Sequence, residues 1–329
     1  MRPILEVRDL SVHAGSAADP IPLVEEVSFE VDKGATLALV GESGCGKSMT
    51  ALSLMRILPE PGVKIGGGQV WFEGEDLVAA SEERMQEIRG NIISMIFQDP
   101  IASLNPIQTV GHQIIEVILA HNRISRREAR ARAVELLRSV RLPDAERRID
   151  YFPHRLSGGM CQRVMIAMAM AGAPKLIIAD EPTTALDTTV QAQVMALLRK
   201  AQIETGTAII LITHNLAAAA EAAENVAVMY AGRIIEQGAV RDIFLAPAHP
   251  YTEGLLGAIP DNAQDGAEIA PLMEIQGNVP RPGTLPDGCA FAPRCRHAQE
   301  KCRLERPKLA AQGARLVACF FPRNGVMTQ

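Results

Sequence analysis

The sequence predicts an α/β fold built on a parallel sheet, and three observations carry that prediction. Three short apolar runs, "TLALVG" (36–41), "LIIAD" (176–180) and "AIILIT" (208–213), have the length of fully buried strands. Each is followed by glycine-rich or polar residues and then by a helix-like segment, the alternation that generates crossover connections. The first run leads straight into "GESGCGKS" (41–48), which fits the phosphate-binding pattern G-x-x-x-x-G-K-[ST].

Taken in order, the phosphate loop comes first. Its glycines let the backbone wrap closely around a phosphate, so that successive N–H groups converge at the start of the helix-like "SMTALSLMRIL". Lys47 is placed to reach β- and γ-phosphates, and the Ser48 hydroxyl to bind Mg²⁺. The nucleotide-binding set is therefore Gly41, Glu42, Ser43, Gly44, Cys45, Gly46, Lys47, Ser48 and Met49. Between the first and second runs, over about 99–165, lies a helical insertion. There "SRREARARAVELLRSV" opens with a capping box, Ser125 and Glu128, and sets Ala129, Ala133, Leu136, Leu137 and Val140 on one face. Its arginines are mixed with Glu128, Glu135, Asp144 and Glu146 and have no interleaved aromatics, so they read as a solvated face rather than a nucleic-acid surface. The second run ends in two acids. A buried strand ending in carboxylates needs a cation or a donor. Asp180 suits the Mg²⁺ shell with Ser48, and Glu181 is placed to orient or deprotonate an attacking water. Beyond about residue 245, "APAHPYTEGLLGAIP" begins a Pro- and Gly-rich tail, which sets a domain boundary between 1–245 and 246–329.

Composition narrows the class of protein. The 329 residues are 47% apolar and 22% charged, an ordinary globular balance, and the formal charge of −5 disfavours nucleic acid as the main partner. The opening "MRPILEVRDLSVHAG" has the features of neither a signal nor a transit peptide, and no window approaches 18 uninterrupted apolar residues. A reducing, cytosolic setting is expected, in which thiols stay free or bind metal.

"LSGGMCQR" (156–163), between the phosphate loop and the acidic strand, resembles the signature of ATP-binding cassette (ABC) ATPases. Gln98 in "IFQDP" is similar to that family's Q-loop, "TALD" (184–187) to its D-loop and His214 in "LITHN" to its switch histidine. The resemblance implies an ABC-type P-loop NTPase core with a helical subdomain, an ATP and Mg²⁺ requirement, and two ATPase subunits that clamp two nucleotides head to tail. It implies that Ser157, Gly158 and Gly159 contact the γ-phosphate held by the partner subunit. It also implies that His214 holds the γ-phosphate and that Gln98 senses Mg²⁺ and water. Two positions depart from the family. Ala14, with His13 beside it, stands where an adenine-stacking aromatic is usual, and Asn215 stands where an acid usually follows the histidine.

"SMIFQDPIASLNP", "HPYTEGLL", "GNVPRPG" and "CAFAPRC" narrow the resemblance to ATPase subunits of oligopeptide and dipeptide importers. That branch implies two permease subunits, an extracytoplasmic solute-binding protein and a second, non-identical ATPase at the cytoplasmic face of a bacterial membrane. It also implies a permease loop received near 98–111, in a groove of apolar and polar groups without charge clusters to which Ile101, Leu104 and Ile107 are assigned, with ordinary core packing as the alternative. A soluble ABC ATPase acting on nucleic acid or ribosomes is the rival, disfavoured by the acidic charge and the importer-like tail.

The tail is expected to form a small cysteine-containing C-terminal domain. Cys45 and Cys161 sit inside nucleotide motifs as bystanders. Cys289, Cys295, Cys302 and Cys319 remain, separated by five, six and sixteen residues. Four thiolates suit tetrahedral zinc or an iron–sulfur cluster. The close C-x₂₋₄-C pairs usual for zinc are absent, and the importer branch implies a [4Fe–4S] cluster; zinc stays the alternative.

Overall fold

The structure, a computed structural model, describes residues 2–16, 19–183, 188–258 and 275–323. It divides into two compact units that do not follow the chain simply.

The first unit comprises Met1–Ile4, Val31–Ala35 and Ala79–Ile212. Its sheet is parallel: strand Leu176–Asp180 lies between Ile93–Ile96 and Ala208–Thr213. Both "LIIAD" and "AIILIT" form these strands as predicted, with every residue of each buried, as a run without polar alternation requires. The expected helical insertion follows as Val110–His121, Arg126–Ser139, the short Ala145–Arg148 and Gly158–Met170. The capping box forms: the Ser125 hydroxyl accepts from the Glu128 N–H, and the Glu128 carboxylate accepts from the Ser125 N–H at 2.8 Å. Ala129, Ala133 and Leu137 turn inward. The arginines pair with acids, Arg130 bidentately with Asp150 at 2.8 and 2.7 Å and Arg138 with Glu146, in keeping with a solvated face.

The second unit comprises Leu5–Glu30, Thr36–Val78 and Thr213–Gln329. One part is an antiparallel sheet ordered Asp19–Val31, Leu5–Ser16, Val63–Phe72, Glu75–Asp76. The other begins at the wholly buried strand Thr36–Val40, which pairs in parallel with Asn225–Tyr230 and continues antiparallel through Arg233–Ala239. The tail adds two short strands here, Arg315–Val317 on Arg233–Ala239 and then Ala310–Gln312.

The small C-terminal domain expected from the change in composition does not separate as a compact unit of its own. The tail has too few apolar residues for a private core. It shares one instead: Tyr251, Leu256, Phe291 and Ala318 are buried with Ala38, Val40, Val228 and Tyr230. Tyr230, Tyr251 and Phe291 form an aromatic triad with ring centroids 4.7, 5.3 and 5.4 Å apart. The buried carboxylate of Glu236 is satisfied by the N–H groups of Ala248 and His249 at 2.8 and 2.9 Å.

Candidate functional site

In the second unit, strand Thr36–Val40 delivers the chain into the phosphate loop, and the helix Lys47–Leu54 carries it away. Gly41 admits no other residue: at φ 153° a Cβ would stand 2.3 Å from the Met229 carbonyl oxygen. Lys47 is 4% exposed, and its ammonium donates to the Gly41 and Glu42 carbonyl oxygens at 2.8 and 2.9 Å. It therefore closes the loop on itself. Cys45 is buried, and burial raises its thiol pKa, which suits the bystander reading. Ser43 and Gly44 are exposed at the mouth of the loop, while Gly46, Ser48 and Met49 are half-buried.

Two tail residues hold this loop, and neither was singled out from the sequence. The Glu42 N–H donates to the Tyr251 hydroxyl at 2.9 Å, and the Glu42 carboxylate accepts a bidentate pair from Arg294 at 2.7 and 2.9 Å. The only signal was their place within "HPYTEGLL" and "CAFAPRC"; nothing local discloses a partner so far along the chain.

In the first unit, strand Leu176–Asp180 ends with Asp180 only 5% exposed. Glu181 follows in a left-handed conformation, φ 46°, uncommon for a glutamate and held by its N–H donating to the Ile212 carbonyl oxygen at 2.9 Å. Gln98, two residues beyond the neighbouring strand Ile93–Ile96, donates its amide to the Glu181 carboxylate at 3.0 Å. The structure thus brings together the two residues expected to handle the attacking water. The signature turn opens helix Gly158–Met170 with Ser157 as N-cap. Ser157 makes no side-chain capping bond, and Ser157 and Gly158 are exposed. Gln162 on the same helix is buried and donates to the Pro182 carbonyl oxygen at 2.8 Å, a link that sequence reasoning missed. The D-loop residues 184–187 lie outside the described residues.

The ABC transporter family matches residues 24–184, and the oligopeptide/dipeptide transporter C-terminal region matches residues 235–302. An oligopeptide transport ATP-binding protein of Bacillus subtilis, AppD, is 50% identical over 98% of this chain and 97% of its own length. The chain belongs to the ABC transporter family.

Within the oligopeptide/dipeptide group of that family, the dipeptide transport protein DppD of Haemophilus influenzae is 47% identical over 98% of this chain and 96% of its own. The oligopeptide transport protein OppD of Salmonella typhimurium is 48% identical over 97% and 94%. Among solved structures, a dimeric ATP-binding cassette in a post-hydrolysis state bound to ADP and Pi superposes with a TM-score of 0.65 at 26% identity, covering 72% of this chain and 99% of that one. The structure of cbiO1 from Clostridium perfringens gives 0.63 at 28% identity, over 74% and 91%.

Against the ABC pattern, both departures acquire a local account. Ala14 pairs with Val63 on the antiparallel sheet. The ring of the adjacent His13 lies on Gly66, where a Cβ would come within 2.2 Å of its Nδ1. Asn215 caps the helix Leu216–Ala222, its Oδ1 accepting from the Ala218 N–H at 3.1 Å, so it serves the segment that begins at the exposed His214.

Of the three residues expected to line a groove near 98–111, Leu104 follows the core-packing alternative instead. Ile101 and Ile107 are exposed, the latter 83%, but Leu104 is 3% exposed and belongs to the core.

The four tail cysteines line one cavity of ≈ 20 Å³ together with His249 and His297. Burial raises the thiols of Cys289, Cys295 and Cys319, the last to about 11, and each also feels the charge of neighbouring thiols. Among the described residues, no group of three or more His, Cys, Asp or Glu is gathered so as to hold a metal ion. The expected coordination sphere of Cys289, Cys295, Cys302 and Cys319 is therefore not assembled. Burial favours the neutral thiol at Cys289, Cys295 and Cys319, and thiolates brought together there would repel one another without a cation between them.

Proposed function

We propose that this chain is the ATP-hydrolysing subunit that powers import of peptides or a related small solute through a membrane ABC transporter. One observation carries the reading: similarity to oligopeptide and dipeptide transport ATP-binding proteins runs through nearly the whole chain, tail included, over an intact phosphate loop and an intact Glu181. Nothing in the sequence, the fold or the relatives supports the rival role on nucleic acid or ribosomes. Permease subunits and a second ATPase subunit follow from that class, and an extracytoplasmic solute-binding protein completes the proposed set. Among the described residues, no helix is long and apolar enough to cross a membrane, as suits a peripheral subunit. Residues 1–245 form the nucleotide-binding part and 246–329 the C-terminal part.

In this reading the loop from Gly41 to Met49 wraps the phosphates, with Lys47 leaving its own carbonyls for β- and γ-phosphate oxygens. Asp180, Ser48 and Gln98 would hold Mg²⁺, which would supply neutralisation of charge on the phosphoryl group. Glu181 takes the proton of the attacking water, and His214 holds the γ-phosphate. Ser157, Gly158 and Gly159 complete the site of the partner subunit, since an uncapped, exposed helix start is an anion site. Exposed Ile101 and Ile107 receive a permease loop. Cys289, Cys295, Cys302 and Cys319 share one cavity but are not gathered as a metal site here, and they would draw together round a [4Fe–4S] cluster that staples the tail. The donor set suits it, because a multivalent cation would reverse the mutual repulsion of four thiolates, and a cubane accepts wider ligand spacing than a single zinc ion.

The deciding experiment is co-purification with permease subunits, reconstitution with a solute-binding protein, and measurement of ATP turnover against a panel of peptides. Peptide-stimulated turnover is expected. Turnover that no peptide or related small solute raises would sink the import reading. For the cluster, protein purified without oxygen is expected to be brown, with about four irons per chain; colourless protein with one zinc would replace the cluster by zinc.

A further inference from the structure

Arg294 ends the short turn Ala292–Arg294, one residue before Cys295. Its side chain is 5% exposed, yet each of its nitrogens donates. Two go to the Glu42 carboxylate, Nε to the Gln276 carbonyl oxygen at 3.0 Å, and Nη2 also to the Ile275 and Gly277 carbonyl oxygens at 3.2 and 3.0 Å. The guanidinium lies 5.8 Å from the centre of the Tyr230 ring. A guanidinium this fully engaged is fixed in place, and so is the carboxylate it grips.

Glu42 is the second residue of the phosphate loop. Its carbonyl oxygen receives Lys47, its N–H is taken by Tyr251, and its side chain by Arg294. A loop whose task is to collect donors around a polyanion thus carries a carboxylate at its entrance. Unpaired, that charge would oppose the triphosphate. Paired in a fixed fork it is neutral, and it also serves as the handle by which the tail holds the loop. Tyr251, fully buried in the aromatic triad, holds the backbone of the same residue. Side chain and main chain of Glu42 are therefore both set from the tail.

We propose that Arg294 is a positioning residue for the nucleotide: by neutralising and fixing Glu42 it makes the C-terminal tail a determinant of MgATP affinity. This rests on the reading that Gly41–Ser48 binds the triphosphate. The role is distinct from merely fastening the tail, because it acts through one charge, and removal of that charge should undo the damage.

The test measures MgATP binding to the purified full chain and, in the assembled transporter, KM and kcat for ATP. Arg294→Ala is expected to weaken MgATP binding about tenfold, the scale of one uncompensated charge near the phosphates at an intermediate dielectric, with KM rising and kcat holding. Glu42→Gln combined with Arg294→Ala is expected to return affinity to within about threefold of the natural chain, because the repelling charge is gone. Unchanged binding by Arg294→Ala overturns the proposal. So does a double variant as weak as the single one, which would show that Arg294 only fastens the tail. If Arg294→Ala does not fold, Arg294→Gln, which keeps hydrogen-bond donors but not the charge, decides: MgATP binding weakened about tenfold supports the proposal, and unchanged binding overturns it. A natural chain that binds no MgATP, with Lys47→Ala no worse, would instead remove the ATPase reading.

Discussion

Two helix starts in this molecule are built from similar residues and treated in opposite ways. The phosphate loop is filled from within: Lys47 folds onto loop carbonyls, Tyr251 takes the Glu42 N–H, and Arg294 takes its carboxylate. The signature turn is left bare: Ser157 caps nothing with its side chain, and Gly158 has no atom within 4 Å of where a Cβ would stand. Both present N–H groups and partial positive charge. The contrast fits the proposed roles: one anion site is held ready by its own chain, whereas the other is left open for a partner to finish.

The sharpest way to break this contrast is to block the bare turn. Ser157→Arg is expected to lower ATP hydrolysis in the assembled transporter by about 10²–10³-fold, the cost of losing donors to developing charge, while nucleotide binding by the isolated chain stays unchanged. Loss of binding in the isolated chain would show that the turn serves its own nucleotide. Glu181→Gln is next in size. Hydrolysis should fall about 10²-fold or more, with binding kept and an ATP-bound dimer accumulating on gel filtration. Original turnover would dismiss Glu181 as the base.

Smaller effects sharpen the comparison. Ile107→Asp, at an exposed position, is expected to reduce peptide-stimulated turnover about tenfold while basal turnover holds, the scale of a lost interface anchor. Equal loss of both would argue against a docking surface. Leu104→Asp could not make this distinction, because a charge there would be buried in the core. The smallest effect is in pH. Burial holds His249 down to about 3 from its ordinary 6.5, and its Nδ1 accepts from the Tyr251 N–H at 3.0 Å. Above 6.5 both folded and unfolded chains carry it neutral. As pH falls below 6.5, only the unfolded chain takes up the proton, so stability declines toward the folded value near 3. By about pH 5.5 the loss is about 1 kcal/mol, read as a denaturant midpoint against pH 7. His249→Asn, which can still accept that bond, should remove this share of the decline; an unaltered pH profile would show that His249 is not its source.

What was legible in the sequence was local. Strands such as "LIIAD" declare themselves because the positions before the closing acid are all apolar, the phosphate loop because its glycines and lysine are fixed in spacing, and the capping box because its partners are three residues apart. Arg294 and Glu42 meet across 252 positions, and no periodicity encodes such a pair. Leu104 lies in irregular chain, where neither helical nor strand spacing says which way a side chain turns. The left-handed backbone at Glu181 was hidden for a different reason: glutamate has no preference for it, and the surrounding sheet imposes it. The cysteines were legible as a group but not as a site, since their convergence on one cavity is tertiary.

The hydrogen bond from Gln98 to Glu181 bears on the economy of the cell that uses this protein. A carboxylate oxygen that already accepts an amide proton is a poorer acceptor for the proton of a passing water. In the proposed reading, where Glu181 is the base, fuel would be spent less readily while that bond stands, and a movement of Gln98 would release the carboxylate.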